Sequence, residues 1–479
     1  MGKGLKEHLI AAIRSRGPIS VAEYMRLCSS SPTAGYYAQG ARPVFGRQGD
    51  FVTSPEMLSA FGDVLGLWMA DVASQRPAVG PTRHLVEYGP GTGALMDDIL
   101  SMAARFPLLF PPRATAVHLV ESSPALAAAQ AHRLRSGPPP SSVADSAQQQ
   151  QEVEEQQQQQ EPLVDRRGYA TQWHMGNAAI DLSKLAPGPL FVIAHEFLDA
   201  LPVHHMEYTS GGWREHLVDV DDVENAAAPF RFILAPGRTP ASEAWERMLT
   251  KLTHSTSASL SSPARAGADE EEANFILHGR SRRLRRRAAP DSAPAVSVVG
   301  QEDAAGLELT MERLATAPRV GDQIEVSPDA ENVVVHIADQ VARRGGAALF
   351  IDYGQDAAYR NSLQGIRGHA FVHPLAEPGR TDLSAFVNFR AIRDAVNTRL
   401  HGAACVWGPV EQGPFLERLG IRARLARWAS GRSDEEIAPV AEAYYRLCDP
   451  AEMGAKFKVL AITSPGLRPD GFADQSAPK

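Results

Sequence analysis

Cysteine is scarce: Cys28, Cys405 and Cys448 are the only three in 479 residues, far apart and with no C-x-x-C pair. That excludes a disulfide framework and gives no sign of a metal site of the zinc kind. Long apolar runs are missing too, and none approaches the roughly eighteen residues needed to span a bilayer. Positive charge is in deficit, with 48 Lys and Arg against 56 Asp and Glu and a net charge of −8. A protein that coats nucleic acid would show the opposite balance. The opening segment MGKGLKEHLIAAIRSRG has no secretory apolar region, carries Glu7, and does not resemble a Ser-rich, acid-poor transit peptide. It predicts a short amphipathic helix with Leu5, Leu9, Ala12 and Ile13 on one face.

Large apolar residues are nearly absent from two internal stretches. Residues 137–167 hold PPPSS, glutamine runs and EVEE, and residues 253–306 run from Ser/Ala-rich to DEEE to RSRRLRRR. Neither composition offsets the entropy of ordering, so both predict disordered inserts. The arginines at 280–287 read as a solvated arm, although such a run also suits nucleic acid or an import signal.

The rest alternates short apolar runs with helical patterns. Residues 84–89, 117–122, 190–197 and 348–354 read as parallel strands buried on both faces, and 457–463 as a final strand. Helices are predicted over 95–105, 124–134 and 330–343. This alternation calls for an α/β, doubly wound, mostly parallel sheet. Residues 204–220, with SGG at 210–212, predict a hairpin on its margin. The expected division is a helical cap or lid over 1–80, a Rossmann-like domain over 81–465 and a flexible tail over 466–479.

The sharpest local signal is VEYGPGTGALMDDIL (86–100), three glycines between a buried strand and a helix. Gly89 suits a tight turn, while Gly91 and Gly93 let the backbone approach a ligand at a helix N-terminus. Read as G-x-G-x-x-A, the turn fits a dinucleotide. Read as E-x-G-x-G-x-G, with Glu87, it fits S-adenosylmethionine. Glu87 favours the positive groups of the latter and sits badly beside a pyrophosphate. Glu121, ending the next strand, can accept ribose hydroxyls of either ligand.

Further blocks extend the pattern. They include GPISVAEYM (17–25), GRQGDFVTSPE (46–56), HLVESSP (118–124), AHEFLDALPVH (194–204), GGAALFIDYG (345–354), PLAEPGRTDLSAFVNF (374–389) and MGAKFKVLAI (453–462). On these the chain resembles the MidA family of mitochondrial protein arginine methyltransferases, the complex I assembly factor 7 type. Two positions depart from the family pattern, Leu58 where a small polar residue is expected and Asn388 where an Asp is. The resemblance implies a Rossmann-like methyltransferase fold with helical additions. It further implies S-adenosyl-L-methionine as cofactor and symmetric dimethylation of an arginine on a respiratory complex I subunit. That would be a mitochondrial activity supporting complex assembly.

The chemistry agrees with an arginine acceptor. A guanidinium stays protonated, and carboxylates hold its planar fork bidentately. AHEFLDALP places Glu196 and Asp199 at a strand end bordering the crevice, and these are the predicted catalytic clamp. His195, Asp50, Glu56, Asp352 and Tyr353 are further candidates for the site, and Trp173 for stacking near adenine. Other readings stay open: a methyltransferase of a small molecule or RNA, a non-catalytic assembly factor, and, more distantly, a nicotinamide oxidoreductase.

Overall fold

The computed structural model describes residues 4–31, 34–38, 53–77, 79–136, 162–176, 180–221, 229–259 and 311–472. Seven strands make the main sheet: β1 (Arg83–Tyr88), β2 (Thr115–Glu121), β3 (Ala170–Met175), β4 (Leu190–His195), β5 (Gly346–Gln355), β6 (Cys405–Glu411) and β7 (Phe457–Thr463). Their order is β6-β7-β5-β4-β1-β2-β3, with short strands Leu163–Val164 and Val387–Asn388 added. All neighbours from β5 to β3 are parallel, and β7 lies antiparallel between β5 and β6.

Alternation along these strands divides two cores. Leu85, Val117, Leu119, Ile193, Leu349 and Val459 face one cluster with Phe61, Trp68 and Ile99. Val86, Val120, Val192, Phe350 and Leu460 face the other, with Val334, Ile337 and Ile392. Helices therefore cover both faces, which is why the strands read as unbroken apolar runs. The predicted helices appear as Ala94–Ala103, Pro124–Ser136 and Pro328–Arg344.

Several expected boundaries move. Helix Ser59–Ser74 is part of the first core and packs on Ala94–Ala103, so residues 1–80 are not one cap. Gly62 and Gly66 allow that approach: a Cβ there would lie 2.5 Å from Asp98 Cβ and 2.7 Å from Met102 Cβ. The hairpin does form, with Thr209 opposite Gly212, but in a separate antiparallel sheet with Ile19–Ser20, Phe230–Leu234 and Gln323–Val326. It leaves the main sheet because its two faces bury different partners. Met206 and Trp213 pack with Trp245 and Leu249, while Val218 and Val220 pack with Leu9, Ile13 and Tyr24.

The inserts are shorter than predicted where they are described. Asp165 is buried and accepts from the amides of Arg167 and Tyr169 (both 2.9 Å), and Arg166 and Arg167 both pair with Asp97. Helix Pro240–Ser259 runs into the second stretch, whose remainder, with the basic run 280–287, lies outside the described residues. The expected tail packs as far as residue 472: Leu467 is buried, Phe472 lies 5.4 Å from the Phe415 ring, and the Asp470 carbonyl accepts the Trp68 indole N–H.

A histidine ladder crosses the sheet. His84 Nε2 lies 2.9 Å from the Ala186 carbonyl and must donate to it. His84 Nδ1 therefore accepts from His118 Nε2, and His118 Nδ1 from His174 Nε2, both at 3.1 Å. The rings of His84 and His118 are neutral in this arrangement. Burial pushes His118 down to about 3 and lowers His84 and His174 as well. Their folded values lie below the unfolded one, so the stabilisation is complete above about pH 6.5 and is lost as pH falls. For His118 alone the loss by pH 5 is about 2 kcal/mol. Raised acids such as Glu87 act in the opposite sense as pH falls. The readout is therefore the difference between wild type and His118→Gln, whose amide keeps a donor and an acceptor but does not titrate. The melting temperature of the variant should fall less between pH 7.5 and 5, and equal slopes would remove the ladder as the cause.

Candidate active site

The strand order reverses between β1 and β4, and ligand crevices in open sheets form at such a point, beyond the carboxyl ends of the strands. The glycine turn leaves β1 there. Gly89, Gly91 and Gly93 have φ of 65°, 53° and 77°, the left-handed region that favours glycine. Neighbours add a second constraint. A Cβ on Gly89 would lie 3.1 Å from Phe197, and one on Gly93 3.2 Å from Gln130. Gly89 and Gly91 line the crevice, whereas Gly93 caps helix Ala94–Ala103 and packs on Gln130.

Two adjoining cavities share Gly89, Gly91, Glu196 and Tyr37. The smaller, about 80 Å³, is bordered by Glu121. Glu121 Oε1 accepts the amides of Ser122 and Ser123 at 2.7 and 2.8 Å, and Oε2 accepts Gln130 Nε2 at 3.0 Å. The same Gln130 nitrogen donates to the Gly91 carbonyl at 2.8 Å, and Gln130 Oε1 accepts the Trp173 indole N–H at 2.9 Å. Gln130 thus couples the glycine turn to the β2 acid. Sequence reasoning passed it over, because a lone Gln in an Ala-rich helix carries no signal. Trp173, a candidate for the core as much as for adenine stacking, packs against the first core and holds Gln130.

The larger cavity, about 600 Å³, is lined by Glu87, His195, Glu196, Asp199, Tyr353 and Asp382 among others. Glu87 is 2% exposed and its Oε2 has no hydrogen-bond partner. Burial, with help from Glu121, raises its carboxyl to about 8. Such an orphaned oxygen calls for a donor or cation from a ligand. The residues present fit S-adenosylmethionine: bare backbone at Gly89 and Gly91, Glu121 with one Oε2 lone pair left for a ribose hydroxyl, and acids suited to ammonium and sulfonium groups. They do not suit the pyrophosphate of a dinucleotide.

Glu196 follows the last residue of β4 with φ 51°, its N–H donating to the Ile351 carbonyl at 2.9 Å. The chain therefore turns sharply and aims the carboxyl into the cavity. Burial, Asp199 and Glu56 push Glu196 up to about 8, opposed by Arg446. Burial raises Asp199 to about 6 against a hydrogen bond from Tyr353, and its Oδ1 has no hydrogen-bond partner. Asp352 lies beneath them. Its Oδ2 accepts the amides of Phe197, Leu198 and Asp199 at 3.1, 2.9 and 3.3 Å, and its Oδ1 accepts that of Tyr353 at 3.0 Å. Asp352 is thus a positioning residue for the acid-bearing turn.

The remaining candidates divide. His195 is buried, 3.2 Å from Ser54 Oγ and 3.4 Å from Glu196 Oε1, and burial lowers it to about 3. Glu56 accepts the Thr92 hydroxyl at 3.0 Å, tying helix Ser54–Met57 to the glycine turn. Asp50 lies outside the described residues. Asn388 caps helix Phe389–Leu400 by accepting the Ala391 amide at 3.0 Å, a task Asn performs as well as Asp. Leu58 is buried at the start of Ser59–Ser74. Sequence reasoning missed Asp382 and Tyr37, which meet at 2.9 Å in the same cavity. Both stand on additions to the sheet whose placement only the fold settles.

Comparison with known proteins places the chain among methyltransferases. The chain is 33% identical over 459 residues to "Protein arginine methyltransferase NDUFAF7 homolog, mitochondrial" of Drosophila melanogaster, covering 96% of this chain and 84% of the relative. It is 29% identical over 458 residues to "Protein arginine methyltransferase NDUFAF7, mitochondrial" of Homo sapiens, covering 95% and 82%. A crystal structure of an uncharacterised Burkholderia thailandensis protein superposes with a TM-score of 0.62 at 25% identity, covering 98% of this chain and 94% of that one. A second from that organism, bound to S-adenosyl-homocysteine, shares the fold with a TM-score of 0.62 at 24% identity. Residues 64–405 match the family model described as "Putative S-adenosyl-L-methionine-dependent methyltransferase". The chain belongs to that family, and its cofactor is S-adenosyl-L-methionine.

Proposed function

We propose that this protein methylates an arginine of a respiratory complex I subunit in the mitochondrion, ending at symmetric dimethylarginine and supporting complex assembly. The observation that carries the reading is the pair Glu196 and Asp199 lining one cavity beside the glycine turn, Asp199 buried with its Oδ1 unpaired and the Glu196 side chain only 22% exposed. Buried carboxylates without cations are costly, and an entering guanidinium supplies the missing charge and the planar donors. The names of the relatives, protein arginine methyltransferases of mitochondria, support the same choice.

Glu87, Gly89, Gly91 and Glu121 hold the cofactor, with Gly93 setting the helix start behind them. The cofactor supplies an activated methyl group. Glu196 and Asp199 grip the guanidinium, localise its charge away from the reacting nitrogen and align that nitrogen for in-line displacement. The proton released from that nitrogen passes to a carboxylate oxygen of the pair. Tyr353 steadies Asp199, and Asp352 fixes the backbone beneath both.

The test is mass spectrometry of complex I subunits incubated with the protein and methyl-labelled S-adenosylmethionine. Label on an arginine, with fragmentation diagnostic of the symmetric isomer, is the expected result. Label confined to lysine, RNA or a small molecule would overturn the reading.

A further inference from the structure

The charge of the large cavity is lopsided. Glu87, Asp199 and Asp382 are buried in its walls. Arg446 and Lys456 line the same cavity yet are exposed, which places them at its mouth. They come from one stretch of chain, helix Asp434–Cys448 and the turn Met453–Lys456 that leads into β7. Neither makes an ion pair among the described residues. Lys458 beneath them is already engaged, by the Ala455 carbonyl and by Glu411 at 3.6 Å. Another part of the rim, strand Ala370–Val372, is uncharged and presents Phe371, 45% exposed.

A cationic lip on a pocket for a cation needs an explanation. Arg446 is near enough for its charge to act on Glu196, so it also acts against any bare guanidinium on its way in. A carboxylate carried beside that guanidinium would cancel the penalty and gain two partners. Resting on the arginine reading above, we infer that the acceptor arginine lies in an acidic segment and that Arg446 and Lys456 read its flanking carboxylates. Segments of repeated arginine or lysine are disfavoured by the same lip. The other carboxylate within reach is that of the cofactor itself, and the experiment separates the two.

The test uses the full chain, methyl-labelled S-adenosylmethionine and three peptides sharing one central arginine, flanked by acidic, neutral or basic residues. The expected order of kcat/KM is acidic, neutral, basic, with roughly three- to tenfold between the first two and a narrowing at high salt. The ratio should fall toward one in Arg446→Gln/Lys456→Gln and invert in Arg446→Glu/Lys456→Glu. A ratio between peptides is insensitive to any change in the intrinsic activity of Glu196. Cofactor affinity by calorimetry should stay within about twofold in both variants. Flank preference absent from the wild type, or retained in both variants, would overturn the inference while leaving arginine methylation standing. So would weakened cofactor affinity with flank preference intact, which would assign the cations to the cofactor carboxylate. Failure to methylate any of the three peptides overturns this inference and the arginine reading together.

Discussion

Glu196→Gln is expected to lower turnover roughly thirty- to a thousand-fold, about 2–4 kcal/mol of transition-state stabilisation, while cofactor affinity changes far less. The substitution keeps size and hydrogen bonding but removes the charge that holds the guanidinium. Asp199→Asn should act in the same direction. The double variant should lose less than the product of the two, because both acids grip one group. Single-turnover rates and calorimetry on the same preparations check the split. Equal damage to binding and turnover would place Glu196 in the cofactor pocket, and full activity would pass the role to Glu56 or Asp382. The pH profile gives an independent reading. The carboxyl sits at about 8, above its usual range, and the ionised form is the competent one. For the free enzyme kcat/KM should therefore rise with pH through about 8, and in Glu196→Gln that limb should shrink to the share of Glu87, raised to about the same value.

Gly91→Val should abolish measurable cofactor binding, a loss of at least about a hundredfold or roughly 2.7 kcal/mol. Two effects combine. A β-branched residue at φ 53° is strained, and its side chain intrudes on the crevice wall that Gly91 forms. The Gly91 carbonyl also accepts the Gln130 amide that holds Glu121, so a displaced turn disturbs the second anchor as well. Gly91→Ala should fall between. Calorimetry with S-adenosylmethionine and with NAD checks both the magnitude and the choice of ligand. Undiminished S-adenosylmethionine affinity in the valine variant, or binding of NAD in the wild type, would refute the assignment.

Much of this was legible in the sequence, and the reason is locality. A strand buried on both faces must be apolar throughout, so β1, β2, β4, β5 and β7 announce themselves. A turn whose backbone takes positive φ at three nearby positions has to be written in glycine. Glu87, Glu121, Glu196 and Asp199 border the crevice because strand ends do so in an open sheet, and the motif that names each strand also names its terminal acid. What pairs across long separations could not be read this way. Asp352 reads as one more strand-end acid, yet its Oδ2 collects amides 153 to 155 residues away. Gln130 looks unremarkable until helix, turn and strand meet. The sequence groups Ser59–Ser74 with a cap because amphipathic periodicity shows that a helix buries a face, and never which core receives it. Asp382 and Arg446 enter the cavity from the additions to the sheet, whose positions depend on packing. The sequence by itself determined five of the seven strands of the main sheet, the turn and the four acids that follow directly from them. Only the tertiary structure decided which groups surround those acids, because burial and electrostatic pairing depend on contacts between segments that share no local pattern.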